Sequence, residues 1–373
     1  MSSTAAAKPP IPWGQLGPFI ALVLACAFFA VTTERFFSGE NLSLILQQVT
    51  VVGVIAIGQT LIILTAGIDL SCGMVMALGS VVMTKFAVEL GLPTPIAIVC
   101  GVAVTALFGL LNGLLVTKIK LPPFIVTLGT FNIAFAVTQL YSGAQTVTNL
   151  PDGMTWLGNT FALGGANDAY GTVLMLLLYL GAWFWLRETG AGRHVYAVGN
   201  NPEATRLVGI PTERVLLGVY VLAGVFYGIA SLLAVARTGV GDPNAGQTEN
   251  LDAITAVVLG GTSLFGGRGV VLGTLIGAVV VGVLRNGLTL MGADTPNSMD
   301  FSPGSNGTIS LSGEDETELS GADYLYDEKH KTVALTEEGV HKVERLLNCG
   351  NLYDPVNIEL NHHVQQGLKA FVM

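Results

Sequence analysis

Two acidic residues interrupt otherwise apolar stretches of this sequence. Asp69 stands in TAGIDLS and Asp252 in ENLDAITAVVLGG, each beside a long run of apolar residues. An acid in such a place is costly unless it caps a helix or faces water. Asp69 is therefore either the N-cap of a helix starting at Leu70 or a side chain along a transport pathway, and both roles are compatible. Asp252 admits the same two interpretations.

Amide side chains and glycines also mark these apolar stretches. Interhelical hydrogen bonds explain the intramembrane amides at least as well as substrate contacts do. Two segments, IGQTLIILTAGIDLSCG and LGGTSLFGGRGVVLG, share a GxT beside a glycine-interrupted run, and paired broken segments often flank a transport pathway; chance similarity in a glycine-rich chain is the alternative. The candidate pathway or helix-break residues are Gly67, Asp69, Asn112, Asn132, Asp252, Gly260, Gly261 and Asn286.

Enzyme motifs are missing from the sequence. Only His194 precedes position 330 among the histidines, and there is no HExxH, no GxSxG and no GxxxxGK[ST] phosphate loop. The cysteines lack metal-ligand spacing. We therefore expect no catalytic residue, no metal and no cofactor bound by this chain, and any ATP hydrolysis must occur on another subunit.

The composition is that of an integral membrane protein. Hydrophobic residues make up 51% and charged residues 12%, with a mean hydropathy of +0.62, against about 25% charged residues in ordinary soluble domains. The apolar runs are long enough for helices and too long for barrel strands. We predict an all-α polytopic helical bundle, followed by a linker and a small soluble tail. Its eight predicted spans lie near 16–33, 42–64, 70–89, 95–117, 122–142, 171–187, 214–236 and 270–291; a ninth, glycine-rich segment near 252–267 either spans or is re-entrant.

The positive residues predict the orientation. Lysines cluster near 118–120 and arginines between 187 and 214, whereas the loop from Ser142 to Tyr170 contains neither. Basic loops face the cytoplasm, so these positions together place the N-terminus inside. We interpret the first apolar run as a membrane anchor rather than a signal peptide, because no small-residue cleavage site follows it.

A polar insertion at 188–213 separates two long apolar segments. Asn201 can cap a short helix, Pro202 suits its first position, and Glu203 complements its dipole. Gly209 can end it. A helix of about two turns with a single apolar stripe needs a partner to be stable. The residues of this segment that we expect to bind the partner are Gly192, Arg193, Asn201, Pro202, Glu203, Ala204, Arg206, Leu207 and Gly209.

Four segments resemble the permease subunits of bacterial ABC importers for monosaccharides of the ribose, xylose and galactose type. They are GIDLSCGMVMALG (67–79), LPPFIVTLGT (121–130), GRHVYAVGNNPEATRLVGI (192–210) and LDAITAVVLGGTSLFGGRG (251–269). The resemblance implies a permease domain over 1–293 in the bacterial inner membrane. It also implies a second permease copy, ABC ATPases that bind ATP and Mg²⁺, a periplasmic sugar-binding protein and no nucleic acid. Asn201 to Gly209 would be the coupling helix.

The C-terminal part departs from this family. Residues 294–320 form a polar, Gly/Ser-rich linker, and 321–373 resemble a fragment of the Sec preprotein translocase ATPase motor without its nucleotide-binding loop. This tail is a fusion, an assembly error or a chimera. Since the family continues into another apolar span after Asn286, we expect weakened folding or assembly. Within the tail we predict a capped helix at 336–346 and no metal role for His362 and His363.

Two other functional classes compete with the permease. An ion-coupled secondary transporter would show several intramembrane acids or cation sites. A membrane-anchored interaction protein would use the tail as its active part and the bundle as a tether.

Overall fold

The computed structural model describes residues 13–33, 35–163 and 166–291, together with the short strands listed below. The helices are α1 (Trp13–Thr32), α2 (Gly39–Leu64), α3 (Cys72–Val88), α4 (Thr94–Thr117), α5 (Pro123–Ser142), α6 (Asp152–Thr155), α7 (Tyr170–Glu188), α8 (Gly190–Asn200), α9 (Pro202–Leu207), α10 (Thr212–Thr238), α11 (Glu249–Leu259) and α12 (Val271–Leu290). The strands are β1 (Thr160–Leu163), β2 (Ala166–Ala169), β3 (Phe301–Pro303), β4 (Ile309–Leu311), β5 (Thr317–Leu319), β6 (Tyr324–Asp327) and β7 (Thr332–Leu335).

Residues 1–291 form one compact unit, which is a helical bundle. Six of its described helices are long and apolar enough to cross a membrane: α2, α4, α5, α7, α10 and α12. Two further apolar helices, the Gly17–Thr32 part of α1 and α3, are shorter. A polytopic helical membrane protein is thus confirmed.

The centre of the bundle is built on α2 and α10. The most apolar windows of these helices are 83% and 72% buried, whereas that of α4 is 22% buried. Glycines bring α10 and α4 together, because a Cβ on Gly109 would meet the carbonyl oxygen of Tyr220 and one on Gly224 would meet the Thr105 backbone. Such close approach through small residues is how helices associate in a medium that gives no hydrophobic drive.

The connection between α5 and α7 is more ordered than the sequence indicated. It contains the one-turn helix α6, a 3₁₀ turn at Trp156–Gly158 and the antiparallel hairpin of β1 and β2. An isolated backbone bridge joins Val147 to Gly241, which follows α10. The prediction of a purely α-helical fold is therefore wrong in this region.

The predicted ninth span at 252–267 is also corrected. Its helix, α11, begins earlier, at Glu249, and ends at Leu259, after which the chain is irregular up to Val271. The cause is glycine: Gly261, Gly266 and Gly267 have positive φ angles of 85°, 80° and 68°, which a continuing right-handed helix does not allow. An 11-residue helix is about 17 Å long, shorter than the hydrocarbon core of about 30 Å.

Residues 292–373 form the second unit, of which the structure describes five short strands. The strands β3, β4 and β5 form one antiparallel sheet, and β6 pairs with β7. Part of the segment predicted as a polar, Gly/Ser-rich linker therefore forms paired strands. The predicted helix at 336–346 and the pair His362 and His363 lie outside the described residues.

Candidate functional site

Asp69 lies in an irregular segment between α2 and α3, inside the bundle. It is 1% exposed, so it does not face water. The following helix begins at Cys72, with Ser71 at its N-cap position, and not at Leu70. The interpretation of Asp69 as the N-cap is therefore wrong, because Asp69 stands two residues before the N-cap position. Its carboxylate nevertheless accepts a hydrogen bond from the backbone N–H of Ser71.

The Asp69 side chain accepts three hydrogen bonds. Its Oδ1 atom accepts from the Ser71 backbone N–H at 2.8 Å and from the Ser71 hydroxyl at 2.6 Å. Its Oδ2 atom accepts from the Tyr227 hydroxyl at 3.2 Å. The Gln59 amide, oriented to pair with both backbone groups of Asp69, donates to its carbonyl at 3.1 Å and accepts from its N–H at 3.2 Å. A buried carboxylate is tolerated because its oxygens are paired.

The same irregular segment is held by side chains from three further helices. Asn112 of α4 donates to the Ser71 hydroxyl at 3.0 Å. Thr127 of α5 donates to the Ile68 carbonyl at 3.1 Å, and Asn250 of α11 donates to the Leu70 carbonyl at 3.1 Å. Non-helical backbone at membrane depth requires such internal partners. We call this paired set, centred on Asp69, the Asp69 cluster.

Gly67 belongs to this cluster for steric reasons. Its N–H donates to the Ile62 carbonyl at 3.0 Å, which closes the last turn of α2. A Cβ at this position would lie 3.1 Å from the Tyr220 hydroxyl oxygen. The predicted helix break at Gly67 thus coincides with the point where the chain leaves α2.

Asp252 has a different environment, in the first turn of α11. Thr248 occupies the N-cap position of this helix, so Asp252 is not the cap either. Its Oδ2 atom lies 3.0 Å from Nη1 of Arg285, yet it makes no hydrogen bond of good geometry. Asp252 lines a cavity of about 150 Å³ together with Gln48, Val49, Val51, Val52, Arg237, Glu249, Ala278, Val281, Gly282 and Arg285.

Two of the predicted amides lie apart from both acids. Asn286 and Asn41 exchange hydrogen bonds of 2.9 and 3.0 Å, which join α12 to the start of α2. Asn132 is exposed on α5 and donates to the Leu128 carbonyl of its own helix at 2.9 Å. Interhelical packing and local bonding account for both residues.

Gly260 and Gly261 end α11 and let it contact α12. Gly260 is the C-cap, and Gly261 has a φ of 85°. A Cβ on Gly260 would meet the Gly273 backbone of α12. These glycines therefore combine a helix break with a close helix crossing.

The polar insertion forms two helices rather than one. The Thr189 hydroxyl caps α8 by accepting from the Gly192 N–H at 3.1 Å, and Asn201 Oδ1 caps α9 by accepting from the Ala204 N–H at 2.9 Å. The capping prediction for Asn201 is confirmed, as is Pro202 at the first position of α9. Gly209 follows with a φ of 87°. We call residues 189–211 the coupling segment.

The coupling segment exposes polar and apolar side chains at its tip. Leu207 is 84% exposed and Val208 is 75% exposed. Arg193, Glu203, Ala204 and Arg206 are also exposed. In contrast, Thr205 is buried and its hydroxyl donates to the Ala197 carbonyl at 2.8 Å, which ties α9 to α8. The apolar stripe thus has no cover within the described residues.

The base of the coupling segment is locked into the bundle. A Cβ on Gly199 of α8 would meet the Leu64 carbonyl oxygen at the end of α2, and the Gly267 N–H donates to that same oxygen at 2.9 Å. The Tyr196 hydroxyl donates to the Gly269 carbonyl at 2.9 Å. Burial raises the pKa of the Tyr196 hydroxyl, so it remains a donor at neutral pH. Helix α8 is therefore in direct contact with the end of α2 and with the 260–270 loop.

Sequence reasoning missed several residues of these sites. Gln59 and Tyr227 are polar groups within apolar helices, a signal equal to that of the predicted asparagines. Arg237 and Arg285 stand near helix ends and resemble flanking charges. Among the described residues, no three His, Cys, Asp or Glu side chains are grouped to hold a metal ion.

Comparison with known proteins assigns the family. Residues 41–303 match the family model described as branched-chain amino acid transport system / permease component, and residues 309–373 match the SecA preprotein cross-linking domain. The fructose import permease protein of Rhizobium meliloti is 46% identical over 283 residues, covering 74% of this chain and 79% of the relative. The ribose import permease protein of Bacillus subtilis is 39% identical (75% and 87% covered), and the galactose/methyl galactoside import permease protein of Escherichia coli is 33% identical (74% and 87% covered). The chain belongs to this family of transport-system permease components.

Proposed function

We propose that this chain is the membrane-spanning subunit of an ATP-driven importer for a monosaccharide. The observation that carries the proposal is the similarity to import permeases for fructose, ribose and galactose along the whole bundle. The substrate class is a small neutral sugar, since each of these relatives is named for one. Transport proceeds by alternating access, with two copies of the chain rocking between inward-facing and outward-facing states.

The partner of the coupling segment in this proposal is an ABC ATPase, which binds ATP and Mg²⁺. The exposed side chains of Leu207 and Val208, next to Arg206, fit a groove in such a partner. Closure of the two ATPases moves α9, and the contacts of Gly199 and Tyr196 carry that motion to α2 and to the 260–270 loop. A periplasmic sugar-binding protein delivers the substrate on the opposite side.

The orientation in this proposal has the N-terminus in the cytoplasm and nine crossings. The crossing beyond the eight predicted spans consists of α11 and the irregular chain up to Gly267. Glu249 lines a cavity together with Gln48, which lies in the first half of α2. The Gly267 N–H donates to the carbonyl of Leu64, at the far end of α2. The segment 249–267 therefore follows α2 over about 24 Å, most of the hydrocarbon core. With nine crossings, residue 291 lies on the periplasmic side of the bacterial inner membrane in this proposal.

Reporter fusions test this orientation. Alkaline phosphatase fused after Met291 is expected to be active, and the same reporter after Lys120 inactive. Green fluorescent protein at the two positions is expected to give the reverse pattern. Inactive phosphatase and fluorescent protein after Met291 would place this residue in the cytoplasm. The segment 249–267 would then be re-entrant rather than a crossing.

The partner is tested by co-purification with the transporter's ATPase. Replacing Glu203 and Arg206 by alanine together is expected to reduce recovery of the ATPase at least about tenfold, because both exposed charges lie on α9. A matched control replaces Arg187 and Glu188, an exposed pair just before the segment, and is expected to leave recovery unchanged. Sugar uptake driven by a proton gradient without ATP would contradict the proposal and support an ion-coupled transporter.

The C-terminal unit has no transport role in this proposal, because it matches a domain of a different kind of protein. Replacing residues 292–373 by an apolar span is expected to raise the yield of assembled permease–ATPase complex, since the exposed faces of α1 and α12 gain a neighbour. Equal yields and equal transport by the two chains would contradict this expectation.

A further inference from the structure

The cavity beside Asp252 contains more ionisable groups than the ion pair alone requires. Arg237 comes from the last turn of α10, Glu249 and Asp252 from the first turn of α11, and Arg285 from α12. Two guanidinium groups and two carboxylates line the cavity, so their formal charges sum to zero. All four lie at or near the ends of their helices, and they meet around one cavity. We call these four residues the charged quartet.

The polar atoms of this cavity are incompletely paired. The Gln48 Oε1 and Asp252 Oδ2 atoms are buried and accept no hydrogen bond within the part of the chain that the structure describes. Over the same residues, the Arg237 guanidinium has neither a hydrogen bond nor an ion pair, whereas Arg285 also donates to the Thr248 hydroxyl at 3.2 Å. Buried polar groups are usually satisfied, so the Gln48 and Asp252 oxygens indicate a ligand that donates hydrogen bonds. The Arg237 and Arg285 side chains are exposed, so their N–H groups are accessible to the same ligand.

The size and walls of the cavity narrow the ligand further. Its volume is about 150 Å³, and a cavity of about that size holds a six-membered ring. Val49, Val52 and Ala278 are among the apolar residues that line the same cavity. A sugar ring presents hydroxyls at its edge and C–H groups on its faces, which matches a lining of polar and apolar side chains.

The position of the cavity suits a substrate that arrives from outside. Arg237 also lines a smaller cavity of about 30 Å³. Leu157 and Gly158, in the connection that follows α5, line this second cavity as well. In the proposed orientation this connection is periplasmic. The Arg285 side chain is half exposed at the other side of the quartet, so the cavity has an opening.

We propose that the charged quartet and Gln48 form a binding subsite for a neutral monosaccharide on its way through the permease. This inference rests on the proposed function. The carboxylates accept from vicinal hydroxyls, the guanidinium groups donate to hydroxyl or ring oxygens, and the neutral sum of charges disfavours charged sugars. Gln48 Oε1 and Asp252 Oδ2 have no hydrogen-bond partner among the described residues, and Glu249 accepts only from the Thr248 backbone N–H, at 3.3 Å.

The test measures sugar uptake by cells that carry the whole transporter, with tritiated D-fructose and D-ribose as probes. Glu249→Gln is expected to lower uptake at least about tenfold, the loss expected when a charged hydrogen-bond partner is removed. Glu89→Gln, a surface glutamate paired with Lys85, is the control and is expected to transport normally. Unchanged uptake by Glu249→Gln would overturn the inference.

A charge swap separates binding from structure. Asp252→Arg combined with Arg285→Asp restores an ion pair but moves the donors and acceptors, so uptake is expected to stay at least about tenfold below wild type at normal protein yield. Full recovery of uptake would show that the quartet is structural. Ala278→Leu, which fills the cavity, is expected to abolish uptake, and normal uptake by this variant would also overturn the inference.

Equilibrium binding of the same sugars to the full chain in nanodiscs adds a direct readout. D-Fructose or D-ribose is expected to bind in the wild type and not in Glu249→Gln, with D-glucuronate and D-glucosamine binding at least about tenfold more weakly. Equal binding of the charged sugars would contradict the subsite. If the wild-type transporter takes up no sugar at all, the proposed function itself fails; uptake that ignores these substitutions overturns the subsite alone.

Discussion

Asp69 and Asp252 give the same signal in the sequence and occupy opposite environments in the structure. Asp69 is fully buried, and its carboxylate oxygens accept three hydrogen bonds. Asp252 is half-buried beside an open cavity and has one ion pair of imperfect geometry. Both carboxylate oxygens of Asp69 already have protein partners, whereas Oδ2 of Asp252 accepts no hydrogen bond from the described residues. This difference is why we propose a structural role for Asp69 and a binding role for Asp252.

The comparison extends to the backbone around each acid. The segment 67–71 is irregular at membrane depth and depends on side chains of five helices for its hydrogen bonds. Asp252 lies in a regular α-helix, whose backbone hydrogen bonds are made within the helix itself. We therefore expect substitutions in the Asp69 cluster to affect folding, and substitutions in the charged quartet to affect transport at nearly normal stability.

The largest effect is expected for Asp69→Ala. It removes the acceptor of three hydrogen bonds and leaves the Ser71 N–H and hydroxyl and the Tyr227 hydroxyl unpaired in a buried site. The free energy of unfolding is expected to fall by about 3 kcal/mol or more, seen as a lower thermal midpoint and a low yield of folded protein in detergent.

The matched variant for this prediction is Asp252→Ala. It breaks one partly exposed ion pair, so we expect a loss of stability below about 1 kcal/mol. Equal destabilisation by the two substitutions would remove the distinction between the two acids.

The sequence predicted the bundle and the capped, exposed helix α9 well, because both depend on local signals. Apolar run length locates the spans, and Asn201, Pro202 and Gly209 act on neighbours within a few residues of themselves. The Asp69 cluster could not be predicted, since its partners Gln59, Asn112 and Tyr227 are distant in sequence and only the packing of α2, α4 and α10 brings them together.

The charged quartet was missed for a related reason. Arg237 and Arg285 lie near the ends of apolar helices, where flanking charges are ordinary. Their convergence with the first turn of α11 depends on the packing of α2, α10, α11 and α12 around one cavity. The composition of the 252–267 segment indicated an irregularity but not which charges it would bring together.

A second prediction concerns the start of α3, which borders the Asp69 cluster. A Cβ on Gly73 would meet the Gly246 carbonyl oxygen, and one on Gly246 would meet the Gly73 carbonyl oxygen. Gly73→Ala is therefore expected to cost about 1–3 kcal/mol of unfolding free energy, because two backbones must separate. Thermal unfolding in detergent measures this cost.

Gly181 of α7 is the matched control, since a Cβ there meets no atom within 4 Å. Gly181→Ala is expected to stabilise the helix by up to about 1 kcal/mol. If Gly73→Ala were as stable as Gly181→Ala, helix α3 could shift away from Gly246 at no cost, and the close contact between the two backbones would not contribute to stability.

The smallest effect separates two tyrosines of α10 that lie two turns apart. The Tyr227 hydroxyl donates to Asp69 at 3.2 Å, whereas the Tyr220 hydroxyl is buried without a hydrogen-bond partner among the described residues. Tyr227→Phe is expected to lower the free energy of unfolding by about 1–2 kcal/mol, and Tyr220→Phe to leave it unchanged or slightly raised, because removing an unpaired buried hydroxyl relieves a desolvation cost. Thermal unfolding of the two variants in parallel checks this difference, and both are expected to support uptake. If Tyr227→Phe abolished uptake at wild-type stability, the Asp69 cluster would take part in transport directly, and the contrast between the two acids would have to be abandoned.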